Sequence, residues 1–318
     1  MVAGYENEEI RQIFHLRPEI SGLLCLSNEE RIKSLERDIW IEYPAVRKGL
    51  RRMKELLHHE RRSRMPNLLI VGRTNNGKSM LKEKFHRENK DEHVDDEING
   101  KLYPRLQSRS IISIQMPSTP NLKRFVLALA EEVDALNHIS LCSLGYMERE
   151  LYRIIKQLQV KMIMIDELHN ILAGPNRNQL EILNMLRYVG NELRVPLVCF
   201  GTKGAYMAIS RDPQLENRFE PVTLPTWKEG RDLEILLKGF SSILPLKRRS
   251  DLLQSEIVKF LLTHSDGILG EIAVILKKAA IEAIRSGKER IDLTLLETLD
   301  HQSPAERRKD FSVIISEP

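Results

Sequence analysis

Two short stretches hold the residue types that chemistry on a nucleoside triphosphate requires. Gly72-Arg73-Thr74-Asn75-Asn76-Gly77-Lys78-Ser79, followed by Met80, matches in full the spacing of glycine, four residues, glycine, lysine and serine. Glycines in such a loop let backbone N–H groups close around the β- and γ-phosphates, a lysine adds positive charge there, and a serine hydroxyl suits a Mg²⁺ ligand. The bland alternative is a glycine-containing surface turn, and the strand and helix patterns on either side count against it. Farther along, Lys161-Met162-Ile163-Met164-Ile165 runs into Asp166 and Glu167. An apolar strand delivers two carboxylates there, Asp166 suited to hold Mg²⁺ through water and Glu167 to polarise an attacking water as general base. Alone the pair is a weak signal, because strands often end in acidic turns; downstream of an intact phosphate loop it is specific. His169 reads as a partly buried structural histidine, or else as a further polar contact.

These residues need a scaffold, and the chain alternates strand and helix patterns around them. Residues 68–71 form an apolar strand leading into the loop, and a helix runs on through Met80, Leu81 and Phe85. A strand at 110–116, a helix opening at Pro120, a helix at 146–158, the strand 160–165, a helix at 179–193 and a buried strand at 197–200 follow. Such alternation predicts an α/β fold, a parallel sheet covered by helices on both faces. Thr202, after Gly201, stands where a polar side chain from the next strand could sense the γ-phosphate; the competing reading is a turn residue. Arg218, in Leu215-Glu216-Asn217-Arg218-Phe219, precedes a short strand. It could reach a neighbouring subunit's nucleotide and stabilise transition-state charge in trans, or it could belong to a surface salt bridge.

Upstream, residues 1–21 show no apolar period and read as an arm. Ser27-Asn28-Glu29-Glu30 reads as a capping box opening a helix through Ile32, Leu35 and Ile39 that Pro44 ends. An amphipathic helix with Val46, Leu50, Met53, Leu56 and Leu57 on one face carries Arg47, Lys48, Arg51, Arg52 and Lys54 on the other, a solvated basic face first and a phosphate contact second. Beyond Trp227 three helical segments remain, near 229–240, 250–263 and 269–286, with a short stretch through Leu299 and a polar tail. The expected organisation is therefore an arm and helix (1–45), a nucleotide-binding core (46–226), an all-helical domain (227–300) and a tail (301–318).

Composition limits the setting. The chain has 42% hydrophobic and 30% charged residues, enough to bury a core in a globular protein. It lacks an apolar run of membrane-spanning length, its first residues are polar rather than signal-like, and a cytosolic location is expected. Three widely spaced cysteines, Cys25, Cys142 and Cys199, show no metal-ligand spacing and read as reduced. A net charge of +4 does not by itself indicate nucleic acid.

Taken together, the layout resembles an AAA+ ATPase: phosphate loop, acidic strand end, polar sensor, trans arginine and a helical lid. More narrowly, over roughly residues 35–292 the chain resembles the TniB/TnsC transposition ATPases of bacterial transposons. The strings that carry this are Trp40-Ile41-Glu42-Tyr43-Pro44, Arg64-Met65-Pro66-Asn67-Leu68-Leu69-Ile70, Asp166-Glu167-Leu168-His169-Asn170, Phe200-Gly201-Thr202 with Ala205, and Pro213-Gln214-Leu215-Glu216-Asn217-Arg218-Phe219 with Leu224-Pro225-Thr226-Trp227. The resemblance implies a P-loop AAA+ core with a small C-terminal helical lid, an ATPase using ATP and Mg²⁺ in the bacterial cytoplasm. It also implies a homo-oligomer, ring or helical filament, on double-stranded DNA, which marks a target, recruits a DDE transposase of the TniA/TnsB kind and, on hydrolysis, comes apart. A TniQ-like targeting protein is a further implied partner, and no membrane is involved. By the same resemblance Lys101 and Thr119, with Lys123 and Arg124 nearby, would contact the DNA backbone without sequence choice; Thr119 reads equally as a cap on the helix at Pro120. One departure is Glu271 after Gly267-Ile268-Leu269-Gly270, where many AAA+ lids carry an arginine; the nearest cations are Lys277 and Lys278. An alternative reading is a DNA-remodelling adaptor of the helicase-loader type. A small-molecule kinase gives no account of the helical lid or of Arg218.

Overall fold

The computed structural model describes residues 15–89, 96–98, 101–103 and 110–316, with the side chains of 96–98, 101–103, 138 and 311–316 outside that description. The chain divides into two compact units, Ala45–Pro225, and Met1–Pro44 together with Thr226–Pro318.

In the first unit the strands are β1 (Asn67–Val71), β2 (Asp96–Ile98), β3 (Lys101–Tyr103), β4 (Ile111–Gln115), β5 (Met162–Asp166), β6 (Leu197–Gly201) and β7 (Phe219–Thr223). Five of them form a parallel sheet in the order β4-β5-β6-β1-β7. Burial explains the sequences: β5 and β6 are buried at every residue, as central parallel strands under helices on both faces require. The edge strands are mixed, β4 ending on the exposed Gln115 and β7 holding the exposed Pro221. Proline lacks the N–H of a second ladder and belongs at an edge. Register aligns Val71 with Gly201, Ile165 with Cys199, and Gln115 with Asp166, so the C-terminal ends of β1, β6, β5 and β4 lie level.

Helices Leu122–Glu132, Leu144–Gln157 and Asn176–Glu192 bury Phe125, Leu129, Met147, Leu151, Ile182 and Leu186 in the core that includes Ile163, Ile165 and Cys199. Helix Pro44–Leu57 starts on proline, suited to a first helical turn, and buries Val46, Leu50, Met53, Leu56 and Leu57. The helix expected from Pro120 begins instead at Leu122. Asn121, extended at φ −147°, caps it by accepting from the Arg124 N–H at 2.9 Å, so Thr119 is not the cap. The antiparallel β2–β3 hairpin has no counterpart in the sequence reading.

The second unit holds helices Asn28–Ser34, Arg231–Ser241, Ser255–Ser265, Leu269–Arg285, Leu293–Glu297 and Pro304–Ser316. The capping box is present: Ser27 N–H donates to Glu30 Oε2 at 3.0 Å and Glu30 N–H to Ser27 Oγ at 3.3 Å. Its helix stops at Ser34 rather than reaching Ile39. Distant partners take over there: Lys277 Nζ donates to the Arg37 carbonyl at 3.1 Å, and Tyr43 packs edge-on against Trp227 with centroids 4.8 Å apart. The polar tail is also helical, and Ser303 and Glu306 form a second capping box at its start.

Arg31 is fully buried in this unit. Its guanidinium donates to both Glu289 oxygens, at 2.8 and 2.5 Å, and to the Pro245 carbonyl at 2.6 Å. Burial raises the Glu289 pKa, but the bonds from Arg31 and the Lys247 N–H outweigh it and hold the carboxyl below its ordinary range. Removing one partner strands the other charge, so Arg31→Met is expected to cost about 3–5 kcal/mol in denaturant unfolding. Arg31→Met with Glu289→Leu is expected to recover most of it, and a single-variant loss under about 1 kcal/mol would contradict the pairing.

Candidate functional site

The phosphate loop leaves the C-terminal end of β1 beside β6, where Gly72 N–H donates to the Gly201 carbonyl at 3.1 Å. In open parallel sheets ligands bind outside the carboxyl ends of strands where the order reverses, and β1 lies there, between β6 and β7. Asn75 (φ 59°) and Gly77 (φ 85°) adopt left-handed backbone, the alternation that turns successive N–H groups into an anion-binding concavity. A Cβ on Gly72 would meet Leu224 Cβ at 3.1 Å. Asn76, buried, anchors the loop by donating to the Pro225 carbonyl at 2.6 Å. Helix Lys78–Glu88 starts directly behind, with its N-terminal end available to phosphates.

Lys78 is buried, and its ammonium donates to the carbonyls of Gly72 at 3.0 Å and Arg73 at 2.9 Å. Burial pulls its pKa down, while Glu167 and Asp166 act to raise it. Arg73, Thr74, Asn75 and Ser79 are exposed and Met80 is half-buried. Asp166 is buried at the end of β5; its Oδ1 accepts the Glu167 N–H at 2.8 Å and its Oδ2 accepts Lys82 Nζ at 2.8 Å. Sequence reasoning missed Lys82, although a spacing of four from Lys78 sets both on one helical face.

Glu167 takes a left-handed backbone, φ 52° and ψ 37°, at the turn into the helix Leu168–Ala173. Uncommon for a residue with a side chain, this conformation is found at sites whose surroundings hold it in place. Its Oε2 lies 3.1 Å from His169 Nε2, so His169 touches the acidic pair. Thr202 is half-buried at the head of helix Lys203–Ile209, and its side chain makes no capping bond.

Arg218 is at the other edge of the sheet. Its carbonyl accepts the Asn67 N–H at 2.8 Å where β1 and β7 begin, and a five-residue strand separates that edge from the phosphate loop by roughly 16 Å. Its guanidinium donates to the neutral Asn191 Oδ1 at 2.7 Å; this pairing is not the surface salt bridge considered above. Thr119, Lys123 and Arg124 are exposed together after β4, with Arg124 hydrogen-bonded to Thr119 Oγ1. Lys101 lies on β3, its side chain outside the described residues. Glu271, at the departure noted above, pairs with Arg307 at 2.7 Å. Gly267 is required by its turn, φ 63°, since a Cβ would fall 2.3 Å from the Trp227 carbonyl oxygen.

The site suits Mg²⁺. No group of three or more His, Cys, Asp or Glu that could enclose a metal exists among the described residues, whereas Mg²⁺ characteristically takes one or two protein oxygens and completes its shell with phosphates and water. Asp166, already engaged by the Lys82 ammonium, and Ser79 are the oxygens on offer.

Sheet order, the phosphate loop after β1 and the carboxylates at the end of β5, one strand removed from β1, define a P-loop fold of the AAA+ class. Among solved structures the chain is similar to the Aeropyrum pernix ORC2 protein in its ADPNP–ADP complexes (17% identity, 82% of this chain and 69% of that one, TM-score 0.54). It is similar also to the Aeropyrum pernix ORC1 protein in complex with DNA (17%, 86% and 68%, 0.53) and to Cdc6p from Pyrobaculum aerophilum (14%, 90% and 74%, 0.55). At such identities the likeness is one of fold. No curated protein matches the chain in sequence. The chain belongs to the TniB family: the family described as Bacterial TniB protein matches residues 31–229. That span takes in the phosphate loop, Asp166, Glu167, His169, Thr202 and Arg218. It ends earlier than the resemblance expected, before helix Arg231–Ser241. No helix among the described residues is long and apolar enough to cross a membrane.

Proposed function

We propose that this chain is an ATP-dependent regulator of DNA transposition that assembles on double-stranded DNA, marks a target, recruits a DDE transposase, and is dismantled by ATP hydrolysis. Membership of the TniB family over a span that contains the whole acidic and phosphate-loop constellation is the observation that carries this reading. Lys78 and the loop N–H groups hold the phosphates, the loop carbonyls giving up the ammonium to them. Ser79 and, through water, Asp166 would hold Mg²⁺, which when bound would supply neutralising charge to the phosphates. Glu167 takes the proton of the attacking water, and Thr202 senses the γ-phosphate from the neighbouring strand. Arg218, out of reach of its own chain's loop, serves the nucleotide of the next subunit. A TniQ-like protein is a further proposed partner.

Lys101, Thr119, Lys123 and Arg124 supply the DNA contacts, all of a kind that reads the backbone. Titration of a labelled duplex in the presence of a non-hydrolysable ATP analogue tests this. Affinity is expected to be indifferent to sequence and to fall steeply with salt, by a slope of about −0.9 in log–log terms per phosphate neutralised. Lys123→Ala and Arg124→Ala are each expected to flatten the slope by about one. Binding that ignores salt, or no binding at all, would contradict the proposal.

A further inference from the structure

The sequence leaves His169 between a structural histidine and a polar contact, and its two ring nitrogens meet different surroundings. Nε2 faces the Glu167 carboxylate at 3.1 Å. Nδ1 is buried and has no hydrogen-bond partner among the described residues. The wall on that side is β6 and the turn after it. A Cβ on Gly201 would come within 3.4 Å of Nδ1 and 2.6 Å of Ala205 Cβ, and one on Gly204 within 3.2 Å of His169 Cβ. The backbone therefore closes against the ring, and only small residues fit.

This asymmetry selects a tautomer. A proton on Nδ1 would bury an N–H with no acceptor, which costs the full desolvation of that group. A proton on Nε2 is taken up by a carboxylate. In a neutral imidazole one nitrogen donates and the other accepts, so the wall at Nδ1 makes Nε2 a fixed donor.

We propose that His169 is a positioning residue for hydrolysis: as the Nε2–H tautomer it donates to Glu167 and fixes that carboxylate in orientation at the end of β5. The proposal rests on Glu167 being the general base. It gives the family-specific strings a shared physical purpose, since Asp166-Glu167-Leu168-His169 supplies the pair and Phe200-Gly201-Thr202 with Ala205 supplies the wall.

Three measurements test it on the full chain. His169→Ala is expected to lower kcat for ATP by about tenfold to a hundredfold with KM little changed. His169→Gln places an amide N–H where Nε2 was and is expected to restore most of kcat. Nitrogen-15 NMR of histidine-labelled wild-type protein, assigned with these variants and read without nucleotide, is expected to show the Nε2–H tautomer of His169. An unaltered kcat in His169→Ala, a glutamine variant no better than alanine, or an Nδ1–H tautomer would each overturn the proposal. Glu167→Gln run alongside separates the two levels: if it turns over like wild type, the base assignment fails and the positioning role falls with it. If Glu167→Gln is dead while His169→Ala is fully active, the positioning role alone is lost.

Discussion

Glu167→Gln is expected to lower ATP turnover by about 10²- to 10⁴-fold, the range a positioned general base contributes. Glutamine keeps the shape of the side chain and an oxygen able to accept from His169 Nε2, so the strained turn at φ 52° and the pocket around it persist. The variant loses the capacity to take a proton. Lys78, Ser79 and the loop N–H groups are untouched, and nucleotide affinity is therefore expected to stay near the wild-type value. A fall in kcat at constant binding marks an interaction made only in the transition state. Assemblies formed with ATP are expected to persist in this variant, because the step that dismantles them is blocked. Turnover at the wild-type rate would remove Glu167 as the base.

Arg218→Ala is expected to have a comparable effect, on the order of 10³-fold, and only in the assembled state. The side chain contributes little locally: its partner is a neutral amide, and the ladder bond to Asn67 uses the backbone. The fold should tolerate alanine. Because Arg218 lies at the opposite edge of the sheet from the phosphate loop, its loss should not alter a single chain's basal rate. Mixing gives the sharper outcome. Arg218→Ala subunits retain Glu167, Glu167→Gln subunits retain Arg218, and a shared site between them holds both. Partial recovery of turnover on mixing two inactive variants is expected, whereas an arginine acting within its own chain would give none. Equal activity of Arg218→Ala and wild type at every concentration would exclude the trans role.

Local patterns carried much of this architecture in the sequence. The apolar run into Gly72, the run from Met162 to Asp166 and the Ser27–Glu30 box depend on neighbours a few residues apart, and each forms as the spacing requires. The box at Ser303 obeys the same rule as that at Ser27 and went unread, as did Lys82, one turn beyond Lys78. Other features depend on contacts that no local pattern encodes. Strand order places β6 between β1 and β5, which brings Thr202 beside the loop, and adjacency of that kind is set by packing across the whole unit. Helix Asn28–Ser34 ends early because partners more than 180 residues away, Trp227 and Lys277, hold the following segment. The contact between His169 and Glu167 requires the left-handed turn at Glu167, a conformation that residue type disfavours.

The most direct test is to image and sediment the chain with double-stranded DNA and a non-hydrolysable ATP analogue. Large regular assemblies that follow the duplex, formed only when both DNA and nucleotide are present, are the expected result. A chain that sediments as a monomer under those conditions, with no assemblies in negative stain, would contradict the proposed function.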